Sequence, residues 1–176
     1  MSMREQILKR VGEDLLNFRV GNGYELDYVN FVKGNDIDAK NFPTVCYDLS
    51  NETSEQIGES IYQQKKSTDL IFIVYVSEYK DKNKGRIVDI REQAINDLNK
   101  FIMRSASIAG YNTDAWKVLR LDLITTETTS GQGRLYNYRI TNIQHNTNYA
   151  EGKATIEFTV SLNYLDFSDE INNTSI

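Results

Sequence analysis

The sequence predicts an α+β domain in which two helices flank one sheet, in the order helix, two strands, helix, three strands. Three observations predict it. Two segments, Met3 to Arg19 and Ile87 to Arg104, repeat apolar residues at helical spacing. Leu70 to Val76 (Leu-Ile-Phe-Ile-Val-Tyr-Val) is apolar at every position, as expected of a central strand covered on both faces. Ala154 to Leu165 alternates, with Ala154, Ile156, Phe158, Val160, Leu162 and Tyr164 on one side and Thr155, Glu157, Thr159, Ser161 and Asn163 on the other. Two helices against one sheet make an α+β domain.

The first helix opens on Ser2 with Glu5 three residues later, the spacing of a capping box. Ile7, Leu8, Val11, Leu15 and Phe18 then form its apolar face, and Gly21-Asn22-Gly23 is the expected stop. Tyr24 to Val32 reads as a short strand or extended loop. Phe42 to Leu49 reads as a strand with its proline, Pro43, at the start, where a ladder donor is least missed. Asn51 to Lys66 is polar, and its Ile57 and Ile61 allow a short helix. After Leu70 to Val76, Lys80 to Gly85 reads as a charged, flexible loop. Ile87, Ile90, Ala94, Leu98, Phe101 and Ile102 then mark the second helix.

Three strands are expected to close the domain. Trp116 to Thr126 is the first. Thr125 to Arg134, with four threonines, a serine and two glycines, reads as a hairpin loop. Leu135 to Ile143 is the second, with Tyr136, Tyr138 and Ile140 on one face, and Ala154 to Leu165 is the third. No internal repeat or linker divides the chain, so residues 1–166 form one domain and residues 167–176 a polar tail.

Composition narrows the function. Acids outnumber bases 25 to 20 for a net charge of -5, which disfavours a protein that grips nucleic-acid phosphates. With one cysteine, Cys46, and one histidine, His145, neither an internal disulfide nor a zinc cluster can be built. The longest apolar run is too short to span a bilayer. Met1 to Arg10 is charged and lacks the apolar core of a signal peptide, so the protein is expected in a cytoplasm.

No motif announces catalysis, and no cofactor is expected. His145 sits among Gln144, Asn146, Thr147 and Asn148, all turn formers, and reads as a loop histidine. Cys46 in an apolar strand reads as inert core. Gly131-Gln132-Gly133-Arg134 lacks the spacing, the Lys-Ser/Thr ending and the following helix of a phosphate loop. Paired acids such as Glu13-Asp14 fall on a solvated helix face. Of 11 tyrosines, several fall on strands or loop edges, where an apolar ring with a polar tip suits an interface.

The order of elements and three stretches of sequence together resemble the tail terminator (tail completion) proteins of long-tailed bacteriophages. The stretches are Phe42-Pro43-Thr44-Val45-Cys46-Tyr47-Asp48-Leu49, similar to the family's "FPAV" strand; Leu70 to Val76 with the helix that follows; and the closing Thr159-Val160-Ser161-Leu162-Asn163-Tyr164. The resemblance covers roughly residues 3 to 166. It implies a mixed, mainly antiparallel sheet flanked by helices and a non-enzymatic structural role in the virion tail, assembled in the bacterial host cytoplasm. It further implies a hexameric ring that caps the tail tube protein and meets the head-side connector, with DNA passing through its lumen without specific binding. Loops on a rigid scaffold commonly carry function, so the expected contact residues are Lys80, Lys82, Lys84 and Arg86 in one loop and Thr128, Thr129, Gln132 and Arg134 in another. Three alternatives stay open: another tail or connector subunit, an enzyme on the same scaffold, and a nucleic-acid-binding domain stacking bases on Tyr136 and Tyr138.

Overall fold

The computed structural model describes residues 2–34, 42–56, 64–78, 85–103, 117–127 and 132–166. Helix α1 spans Met3–Leu15. Its capping box is formed in both directions, with the Ser2 hydroxyl accepting from the Glu5 N–H at 3.1 Å and the Glu5 carboxylate accepting from the Ser2 N–H at 2.9 Å. The buried face is Met3, Ile7, Val11 and Leu15. The helix stops earlier than Arg19, the expected end, because Phe18 turns inward. Its ring stacks on Tyr28 at 3.9 Å and meets Tyr24 and Phe101 edgewise or tilted. A short turn at Val20–Asn22 follows and ends on Gly23 at φ 90°, a conformation that favours glycine.

Among the described residues seven strands form one sheet: β1 Asn30–Lys33, β2 Thr44–Leu49, β3 Thr53–Gln56, β4 Gln64–Ser77, β5 Thr125–Glu127, β6 Gln132–Asn148 and β7 Lys153–Asp166. The order across the sheet is β1-β2-β4-β7-β6-β5, with β3 pairing the start of β4. Only β1 and β2 are parallel, so the sheet is mixed and mainly antiparallel, and the class is α+β as expected. Helix α2, Ile87–Met103, buries the six apolar residues that its spacing marked.

The sheet is covered on one face by both helices. Leu70, Phe72, Val74 and Val76 of β4 and Ile156, Phe158, Val160 and Leu162 of β7 join Ile7, Val11, Ala94, Leu98 and Phe101 in one core cluster. Strand β4 is central, but the expectation that both its faces are covered is corrected. Ile71, Ile73 and Tyr75 on the second face are only half-buried. Gly12, in the middle of α1, is explained by packing: a side chain there would lie 2.7 Å from the Tyr47 hydroxyl. Thus the glycine, costly in a helix, lets α1 sit close to β2.

Two further expectations are corrected. The polar stretch that allowed a helix is, where described, the β3 strand and the start of β4; Ile57 and Ile61 lie outside the described residues. The strand expected from Trp116 to Thr126 is mostly irregular over residues 117–126, Trp116 lying outside the described residues. Val118, Leu119, Leu121 and Ile124 are all buried, a spacing with no period of two, and Leu121–Leu123 form a 3-10 turn. Only Thr125–Glu127 joins the sheet.

Candidate assembly surface

Three buried polar clusters fix the frame on which any surface is carried. Asp14 accepts from Arg10 and from the Arg120 N–H, tying α1 to the segment before β5. Hydrogen bonding to Asp14 raises the Arg10 pKa. Asp97 of α2 accepts from the N–H groups of Glu25 and Leu26 at 2.8 and 3.0 Å and from the Tyr28 hydroxyl at 2.9 Å. Burial pushes its pKa above the ordinary value even though these three donors favour the charged form. Lys66, on the helix-covered face of β4, sits between Asp166 at 3.0 Å and Glu52 at 3.2 Å, and the buried Tyr164 hydroxyl also donates to Glu52. Burial pulls the Lys66 pKa down, but the bonds and charges of Asp166 and Glu52 outweigh it and the net shift is upward. Each cluster joins elements distant in sequence and has its donors and acceptors matched, as a structural tie requires.

Neither expected loop is fully described. Lys80, Lys82, Lys84, Thr128 and Thr129 lie outside the described residues. Arg86 is exposed just before α2, beside a shallow groove that also takes in Glu78, Asp89 and Tyr149. The Glu78 carboxylate accepts from the Ile87 N–H and so occupies the helix N-terminus itself. Gln132 and Arg134 begin β6, paired with Glu127 and Thr125, so this stretch is a hairpin with strands at both ends. The two regions are not brought together. Arg134 lies opposite Leu165 at one end of β7, whereas Ser77, from which the chain leads to Arg86, lies opposite Lys153 at the other. At ~3.4 Å per residue the ends are roughly 40 Å apart.

The β6–β7 hairpin is the surface that sequence reasoning missed. The turn formers around His145 are strand residues in a regular ladder: Asn142 pairs with Thr159, Ile143 with Phe158, His145 with Ile156 and Asn148 with Lys153. The hairpin tip is held by Arg91 of α2, which donates to the Thr147 hydroxyl at 3.0 Å and to the Tyr149 hydroxyl at 3.3 Å. Two bulges, at Tyr136 and Thr141, interrupt the pairing of β6 with β7. The first separates the tyrosines expected on one face. Tyr138 and Ile140 pack against the core, while Tyr136 turns to the second face, where the Lys65 ammonium lies over its ring. A signal for this surface was present: from Leu135 to Asn148 the sequence has Arg139 as its sole charged residue and no proline.

Cys46 is buried and its thiol pKa is raised by that burial, which keeps it in the unreactive protonated form. Among the described residues no group of His, Cys, Asp and Glu could hold a metal ion, and no helix is long and apolar enough to cross a membrane. The chain matches no known family model and no curated protein.

Proposed function

We propose that the chain is a structural subunit of a bacteriophage tail, a tail terminator whose ring of six copies caps the tail tube and offers its other side to the head-side connector. The observation that supports this most is the layout. Helices cover one face of a mixed sheet, the second face stays half-buried at Ile71, Ile73 and Tyr75, and Arg86 and Arg134, the described charges of the two expected contact regions, lie towards opposite ends of that sheet. A subunit that joins a tube below and a connector above needs two separated contact ends, and one that closes a ring needs further surfaces for its neighbours. The net charge of -5 suits a lumen through which DNA slides unheld.

The nucleic-acid reading loses its platform, because Tyr136 and Tyr138 lie on opposite faces of the sheet. Another tail or connector subunit would share the same layout and differ in what it binds. Electron microscopy of the purified protein mixed with uncapped tail tubes tests the choice. A six-fold cap at the tube end, with tube growth arrested, is the expected result. Tubes that keep growing uncapped in its presence count against the terminator reading.

A further inference from the structure

We infer that the outer edge of β6 over Asn142–Asn148 takes a β-strand from a second copy of this chain, so that the sheet continues from one subunit into the next. The second copy rests on the ring-forming reading; the place of the contact rests on the edge itself. Beyond Arg134, β7 is the strand that pairs with β6 among the described residues, leaving the other side of β6 as a sheet edge. Exposed edges present unpaired N–H and C=O groups, and proteins that remain monomeric blunt them with charges, prolines or bulges. The bulges at Tyr136 and Thr141 do blunt the first part of β6. From Asn142 onward the ladder is regular, the side chains are almost all exposed, and the sequence Asn-Ile-Gln-His-Asn-Thr-Asn holds no Lys, Arg, Asp, Glu or Pro. That is an edge roughly 20–25 Å long with no charged residue, proline or bulge of its own.

The chain carries a matching partner at its opposite edge. Following the ladder across the sheet, β1 and β2 run one way, β4 the other, β7 as β1, and β6 opposite to β1. When copies stand side by side with the same face inward, β6 of one meets β1 of the next antiparallel, the more stable pairing. Asn30–Lys33 of β1 brings one charge, Lys33, so no like charges meet across the junction. Apolar groups stand ready on both sides: Ile143 is 40% exposed on β6, and Val29 beside β1 is 44% exposed. Cross-strand pairs of this kind stabilise a sheet. Because the two edges differ, the contact is head-to-tail and closes into a ring when its rotation fits.

The test places one cysteine on each edge of the full-length protein, on the helix-covered side of both strands: Lys33→Cys combined in turn with Ile143→Cys, His145→Cys and Thr147→Cys. Each is treated with a short bis-maleimide under conditions in which the parent protein, its Cys46 buried, caps tubes. A ladder of covalent multimers with at least one pair, and none with Lys33→Cys alone, is expected. Capped tubes with no ladder from any pair overturn the edge contact and leave the terminator reading standing. A ladder without capping keeps the edge contact and overturns the terminator reading, and the absence of both overturns both. Cross-links that stop at dimers through the β6 cysteine alone mean two-fold self-pairing and overturn the head-to-tail contact. Independently, Gln144→Lys with Asn146→Lys should weaken assembly about tenfold or more by charging the edge, with the thermal transition of the subunit unchanged. Undiminished assembly of this variant, folded normally, is evidence against the proposal.

Discussion

Ile143 and Phe158 face each other across β6 and β7, on the same side of the sheet, yet they live in different environments. Phe158 is fully buried beneath the helices, whereas Ile143 is 40% exposed on the edge strand. The same contrast holds for their strands. In β7 each core-facing side chain from Ile156 to Tyr164 is fully buried. In β6 the residues from Thr141 to Asn146 are all exposed. Burial by α2 ends between the two strands, so one hairpin contains both the centre of the core and a surface kept free of charge. Stability and the proposed assembly can therefore be probed separately by substitution, strand by strand.

The sharpest separation is expected at the core. Phe158→Ala should cost about 3–5 kcal/mol, from lost transfer energy and the cavity left under α2. Chemical denaturation would show the loss, and a cost below about 1 kcal/mol would mean that the helix layer is not packed as described. Lys66→Ala should come next, at about 3 kcal/mol or more, because it leaves Asp166 and Glu52 without their shared cation in a buried setting. Lys66 has its pKa raised in the fold, so its contribution is fully present below its ordinary value and is lost as pH rises through the folded value. The difference in stability between the parent and Lys66→Ala should accordingly shrink only in strongly alkaline solution. A difference that disappears near neutral pH would show that this cluster is solvated.

Asp97→Ala should cost less, about 1–3 kcal/mol, by stranding the Glu25 and Leu26 N–H groups and the Tyr28 hydroxyl. Its pH dependence has the opposite sense to that of a carboxylate held below its ordinary pKa by folding. The folded pKa lies above the ordinary 3.8 because of burial, so the stability contributed by the protonated group is present below that value and is lost as pH rises through the folded one. Denaturation curves of parent and variant from acid to neutral pH should therefore converge as pH rises. Curves that diverge instead would show that the three donors outweigh burial.

What the sequence revealed follows the same division. The faces of α1 and α2 and the whole of β7 were legible because one side of each is buried, and a one-sided environment imprints a period on the residues. Strand β4 misled because its second face also carries Ile71, Ile73 and Tyr75. An apolar run alone does not distinguish a face covered by this chain from one left half-buried. Val118 to Ile124 was read as strand because buried irregular backbone selects apolar residues without selecting a period. The Gln144–Asn148 part of the β6 edge was read as turn for a physical reason too: asparagine, glutamine and threonine serve turns and exposed ladders alike. The informative feature was the missing charge, which is seen only when the whole of β6 is considered. Of the two stretches read as loops, Arg86 is irregular just before α2, whereas Thr125–Glu127 and Gln132–Arg134 are paired strand; residues 79–84 and 128–131 lie outside the described ones.

The smallest expected effect on stability is also the most informative one. Ile143→Ala removes an apolar side chain opposite Phe158, and if burial were equal along the pair it would cost several kcal/mol. At 40% exposure, with β7 on one side and an open edge on the other, Ile143 has few neighbours to lose and leaves no enclosed cavity. Its loss should change the unfolding free energy of the subunit by less than about 1 kcal/mol. In the assembled state its surroundings differ, because a strand docked on Asn142–Asn148 would cover the exposed part of the side chain. The concentration needed to form rings or cap tubes should then rise several-fold, through lost burial at about 25 cal/mol per Å². Sedimentation and thermal unfolding of the same preparation separate the two quantities. An Ile143→Ala subunit that unfolds normally yet assembles poorly places the residue at the junction between copies. One that loses several kcal/mol as a monomer shows instead that β6 is buried in the free subunit and that the contrast with Phe158 does not hold.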